Sequence, residues 1–117
     1  MAAPLPTYLL PDNSSIVDGG LEIGGCDTIE LAARFGTPLF VYDEAHLRAR
    51  CREAVATFGR GVAYATKAFL CKGMARLAHE EGMHLDVATG GELWMSLEAG
   101  VPAGSLIFHG NNKSPAE

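Results

Sequence analysis

No apolar run in the 117 residues approaches the ~20 consecutive positions that a membrane-spanning helix needs. The opening "MAAPLPTYLLPDNSS" has no basic region followed by a long apolar stretch, so no secretory signal is expected. There is no excess of basic residues: the net charge is −5, and no basic stripe interrupts it, which argues against nucleic acid as the main partner. Cysteine is scarce and odd in number. Cys26, Cys51 and Cys71 are far apart, with no C-x-x-C and no regular Cys/His spacing, so neither a disulfide framework nor a zinc site is supported. Cys51 and Cys71 fall on apolar faces of predicted helices and read as small buried hydrophobes. A reducing cytoplasm is the expected location. The glycine-rich "VDGGLEIGGCD" matches neither G-x-G-x-x-G nor a P-loop; Leu21 and Ile23 alternate with Glu22 and Gly24, which predicts a short strand between turns.

What is present is enough apolar material, 48% of the chain, for one small domain with a core. Residues 1–20 are rich in Pro, Asn, Ser and Gly and read as an irregular lead-in. From Asp27 a rhythm sets in. Asp27 caps a helix, with Glu30 three residues on, and Gly36 ends it. "PLFVYD" reads as a strand, and Asp43 caps a second helix with the apolar stripe Leu47, Cys51, Val55 and Phe58, closed by Gly59. The strand "GVAYATK" precedes a helix carrying Leu70, Met74, Leu77 and Ala78 that stops at Gly82. The strand "HLDVAT", a helix around Leu93 and Leu97 ending at Gly100, and the strand "SLIFHG" complete the pattern.

Strands alternating with glycine-closed helices predict right-handed βα units around a parallel sheet, its strands apolar on both faces. The final "SPAE" offers Ser114 as N-cap, Pro115 at the first helical position and Glu117 at the third, a helix start with no helix after it. The expectation is therefore a piece of something longer.

Strand alternation places Ala65 and Lys67 on one face of "AYATK", Asp86 and Ala88 on one face of "LDVAT", and Ile107 and His109 on one face of "LIFHG". If the three strands are neighbours, Lys67, Asp86 and His109 meet at the C-terminal edge, where αβ-barrel enzymes place their chemistry. Each residue has a plainer explanation. A strand-end lysine extends its amine to water, an aspartate caps the turn at "TGGE", and a lone histidine is a satisfied polar residue. His46, His79 and His84 read as surface. The chemistry that wants such a lysine is imine formation with an aldehyde cofactor, for which small Ala65 leaves room beside a flat ring.

"YATKAF", "LDVATGGEL" and "IFHGNNKS", preceded by "TPLFVYDEAHLRAR", resemble the diaminopimelate decarboxylases over about residues 21–117. The resemblance implies an α/β fold, the N-terminal part of a pyridoxal-phosphate-binding (β/α)8 barrel of the alanine racemase type. In longer relatives a β-rich second domain is added, to which residues 1–26 are expected to contribute a strand. It implies Lys67 as the cofactor-binding and catalytic lysine, with Ala65, Asp86 and His109 lining the cofactor pocket; Phe69 stands where many members have asparagine. It also implies pyridoxal 5'-phosphate as cofactor, no metal, an amino-acid substrate, no nucleic acid or membrane partner, and a homodimer. The implied reaction converts meso-2,6-diaminopimelate to L-lysine and carbon dioxide. A full barrel needs ~250 residues and takes its phosphate site from loops after later strands, so this length of chain is expected to be inactive alone. The competing readings are a decarboxylase of the same fold acting on arginine, ornithine or carboxynorspermidine, a pyridoxal-phosphate carrier without catalysis, and a bare structural module.

Overall fold

The structure is a computed structural model that describes residues 6–110 and 112–116. Residues 1–49 and 50–117 form two compact units. In the first, strands β1 (Ser14–Val17), β2 (Gly20–Ile23) and β3 (Cys26–Asp27) make an antiparallel meander in that order. The Ser14–Val17 strand lies in a segment expected to be irregular. Glycine at 19 supplies the positive φ of the tight turn that pairs Val17 with Gly20, and this hairpin registers β1 despite its polar composition. The predicted strand at Leu21–Ile23 is present.

Helix α1 (Thr28–Phe35) follows, with Asp27 Oδ1 accepting from the amides of Ile29 and Glu30 and Gly36 closing it at φ 83°. Helix α2 (Glu44–Phe58) starts on Asp43, whose Oδ1 accepts the His46 amide at 2.8 Å. Both caps were legible. "PLFVYD" is not a strand: Pro38 lacks an N–H, and no described strand lies alongside the segment to complete a ladder. His46, expected on the surface, is half-buried, and its Nδ1 accepts the Asp12 amide at 3.0 Å; His79 and His84 are half-buried as well.

The second unit is built on a parallel sheet of three strands, β4 (Ala63–Ala65), β5 (His84–Val87) and β6 (Leu106–Phe108), with β5 in the middle. Helix α3 (Lys72–Glu80) connects β4 to β5, and α4 (Gly90–Glu98) connects β5 to β6. These are the expected βα units, and Gly82 and Gly100, each at φ 88°, end the helices as predicted. The core is one-sided. Leu85 and Val87 are 0% exposed and pack with Met74, Ala75, Leu77 and Ala78 of α3, Ser96 of α4, and Met83, Ala99 and Val101 beside them. His84 and Asp86, the alternate residues of β5, are only half-buried. The expectation of strands apolar on both faces thus holds for one face only, because helices cover that face and leave the other open.

Two packing expectations also change. Cys51 is buried as expected, whereas Cys71 is exposed and serves as the N-cap of α3, its Sγ accepting the Met74 amide at 3.4 Å. A thiol at a cap position does not enter the helix's apolar stripe. Phe58 is 77% exposed, because it stands in the last turn of α2, beyond the residues that pack. The helix start expected at Ser114–Glu117 lies partly outside the described residues; Pro115 and Ala116 form a turn.

Since Leu85 is fully enclosed on the central strand, Leu85→Ala is expected to destabilise the second unit by about 3 kcal/mol. Phe58→Ala should change stability by less than about 0.5 kcal/mol. Urea unfolding of the two variants beside the wild type measures both.

Candidate active site at the C-terminal edge of the parallel sheet

The register of the sheet sets the site. Ala65 pairs with Asp86 and Asp86 with Ile107, so these residues stand in one row on the open face. Tyr64, Leu85 and Leu106 form the adjacent row on the covered face. Beyond β6 the ladder gains one more bond, the His109 amide donating to the Val87 carbonyl at 3.0 Å. That bond holds His109 extended, and its ring Nδ1 meets Asp86 Oδ1. With the Asp86 oxygen as acceptor, Nδ1–H is the donor of this bond. Asp86 and His109 are thereby brought together, as the alternation of the strands suggested.

Lys67 is placed differently from the expectation. Strand β4 stops at Ala65, and Thr66–Ala68 turn into a short 3-10 helix, so alternation does not carry from Ala65 to Lys67. The turn is fastened on both sides of the lysine. Thr66, 2% exposed, donates its hydroxyl to the Asp86 carbonyl at 3.0 Å, and Tyr64 donates its phenol to the Phe69 carbonyl at 2.7 Å. Lys67 itself is exposed, and no hydrogen bond or ion pair among the described residues involves its amine. It stands just past the end of the strand that pairs Ala65 with Asp86, and among the described residues it makes no hydrogen bond or ion pair with the Asp86–His109 pair.

The site has a further carboxylate that inspection for strand-end residues passes over. Thr89 and Glu92 form a capping box at the start of α4, with Thr89 Oγ1 accepting the Glu92 amide at 3.2 Å. Glu92 Oε2 accepts from the amides of Ala88 at 2.8 Å and Thr89 at 3.0 Å. The spacing Thr-x-x-Glu ahead of an apolar run is the signal that finds this pair in the sequence. The Ala88 amide holds the Glu92 carboxyl below its ordinary value of 4.5; burial opposes this, and the Thr89 amide, the Thr89 hydroxyl and the Thr66 hydroxyl reinforce it.

The chemistry available is that of a primary amine without an internal partner, next to a small residue and an acid–imidazole pair, on the open edge of a parallel sheet. An amine that makes no hydrogen bond or ion pair among the described residues suits condensation with an aldehyde. Residues 44–117 match the pyridoxal-binding domain of the pyridoxal-dependent decarboxylases. The chain belongs to that family. Its cofactor is pyridoxal phosphate, and the three-stranded parallel sheet with its helices is part of the family's barrel.

Within the family, the chain is similar to the diaminopimelate decarboxylase of Bacillus methanolicus, 56% identical over 104 residues covering 85% of this chain and 24% of the relative. It is 54% identical over 116 residues to that of Mycobacterium leprae, covering 97% of this chain and 25% of the relative. The crystal structure of a diaminopimelate decarboxylase from M. jannaschii superimposes with a TM-score of 0.76 at 37% identity, over 89% of this chain and 26% of that one. A protein from Aquifex aeolicus superimposes with a TM-score of 0.83 at 33% identity, over 90% of this chain and 27% of its own. The chain thus spans about a quarter of the length of the curated relatives it matches.

A folded-state pKa below the unfolded one means that the Glu92 stabilisation is complete above the unfolded value and is lost as pH falls through the folded one. Glu92→Gln is therefore expected to lower the urea midpoint at pH 7, and the gap to wild type should close as the pH drops below 4.5. Urea titrations at a series of pH values between neutrality and acid follow the closure.

Proposed function

We propose that a protein carrying these residues is a diaminopimelate decarboxylase, converting meso-2,6-diaminopimelate to L-lysine and carbon dioxide. The observation that carries the reading is the unpartnered Lys67 amine on the open sheet edge, beside the row of Ala65 and Asp86, in a chain 56% identical to a diaminopimelate decarboxylase. One relative's crystal structure, that of the M. jannaschii enzyme, is in complex with L-lysine, which is the product of the proposed reaction.

Pyridoxal phosphate, when bound, supplies an aldehyde and a pyridinium ring that accepts the electron pair released as a carboxylate departs. The residues of this chain perform the rest. Lys67 would hold the cofactor through its amine, and the same amine, when free, would be a base suited to returning a proton. Ala65 keeps the row beside it low, so that a flat ring can lie against the sheet. Asp86 accepts from His109 Nδ1–H, which fixes the ring and points Nε2 away from the carboxylate. Both residues are proposed to line the cofactor pocket.

Residues 1–26 are proposed to join a β-rich domain, and their antiparallel meander, distinct from the parallel sheet, supports this. The barrel is proposed to occupy 27–117 and to continue in the longer protein. A homodimer in the cytoplasm, with no nucleic acid or membrane partner, is the proposed context. The acidic balance supports the absence of a nucleic-acid partner, and among the described residues no helix is long and apolar enough to cross a membrane.

Lys67→Ala in the longer protein is expected to abolish the visible absorbance of retained cofactor and to reduce carbon dioxide release at least about a thousandfold; retention of both would remove Lys67 from the mechanism. The 117 residues alone, holding three strands of the sheet, are expected to release no carbon dioxide from diaminopimelate, as measured by manometry or a coupled assay. A panel with arginine and ornithine beside diaminopimelate separates the proposed substrate from those of other decarboxylases.

A further inference from the structure

Between the strand that ends at Ala65 and the lysine that follows stands a residue with no role in the chemistry above. Thr66 is 2% exposed, the only buried member of its turn. Its hydroxyl donates to the Asp86 carbonyl at 3.0 Å. The hydroxyl is therefore anchored on the backbone of β5, in the segment that carries Asp86 and leads into the cap of α4.

Resting on the reading of Lys67 as the cofactor lysine, we propose that Thr66 is a positioning residue: its hydroxyl ties the Thr66–Ala68 turn to the Asp86 carbonyl of β5, and this tie sets where the Lys67 amine stands. The physical reason is the nature of the turn. A 3-10 helix of three residues has poor internal hydrogen bonding and no length to hold its own geometry. A long lysine side chain on such a turn gains reach only if the backbone beneath it is fixed. Tyr64 fixes the far end through Phe69, and Thr66 fixes the near end. Valine has nearly the same shape as threonine and lacks the hydroxyl, so Thr66→Val removes the tie while still filling the buried space.

The test is covalent capture of pyridoxal 5'-phosphate by the purified protein. The neutral Lys67 Nζ joins the aldehyde carbon with loss of water, and borohydride then delivers hydride to that carbon, leaving a stable secondary amine. Peptide mapping gives the capture rate at Lys67 and, in the same sample, at Lys72 and Lys113. Thr66→Val is expected to slow capture at Lys67 about tenfold, the scale on which loss of alignment acts, and to leave Lys72 and Lys113 unchanged. Thr66→Ser, which keeps the hydroxyl, is expected to restore Lys67 to within about twofold of wild type. A purely structural role would shift the melting temperature of the variants without this selective loss and rescue. Should Thr66→Val fail to fold, Thr66→Ala removes the same hydroxyl with less bulk and is expected to slow capture at Lys67 alone to a similar extent. Wild-type protein that labels Lys67 no faster than the other two lysines overturns the cofactor reading and this proposal with it. Selective wild-type labelling that persists in the folded variants overturns the positioning role alone.

Discussion

Strand β5 is hydrogen-bonded on both sides, and its alternation splits the sheet into a covered and an open face. Leu85 and Val87 are fully enclosed by the helices, so the register of β5 cannot slip by one residue without moving both into water and bringing His84 and Asp86 inside. Enclosing each of these apolar side chains stabilises the unit by about 1.5–3 kcal/mol. Turning a carboxylate inward without a partner would cost more. The same constraint that holds the core therefore delivers Asp86 to the open face, in line with Ala65 and Ile107. Core and site are two faces of one strand.

From that strand the rest of the edge is assembled by bonds to its backbone. The Val87 carbonyl accepts His109, which extends the ladder past β6 and brings the imidazole to Asp86. The Asp86 carbonyl accepts Thr66, which begins the turn bearing Lys67. The Ala88 amide donates to Glu92, which starts α4. Each strand-end residue is thus located by a hydrogen bond to β5, not by the length of its own strand. Lys67 on that turn is exposed, and among the described residues its amine makes no hydrogen bond or ion pair, so Asp86 is bonded to His109 and not to the lysine.

The parts of this arrangement legible in the sequence were those written in local chemistry. Helix starts at Asp27 and Asp43 and stops at Gly36, Gly82 and Gly100 follow from side-chain caps and positive φ, which depend on neighbouring residues only. The convergence of Asp86 and His109 followed from counting alternation along "LDVAT" and "LIFHG". The same count misplaced Lys67, since β4 ends at Ala65 and a threonine hydroxyl diverts the chain into a turn that periodicity does not express. "PLFVYD" has the composition of a strand but no neighbour to pair with, and pairing is a property of the fold, not of the segment. Cys71 was misjudged for a related reason: a residue just ahead of a helix continues the apolar stripe on paper, while in space it is the cap.

Glu92 shows how far one local motif extends in this fold. As a capping-box residue it would matter only to α4, yet its carboxylate also accepts the Ala88 amide, so that it joins the end of β5 to the start of α4. A group bonded to several segments couples them: whatever strengthens its hold on one strengthens the arrangement in which the others are held. Its ionised form is favoured by bonds from the Ala88 and Thr89 amides and from the Thr66 and Thr89 hydroxyls, so ordering these donors and keeping the charge are the same event seen from two sides. Protonating Glu92 weakens its hold on the Ala88 and Thr89 amides together, so the end of β5 and the start of α4 share one carboxylate.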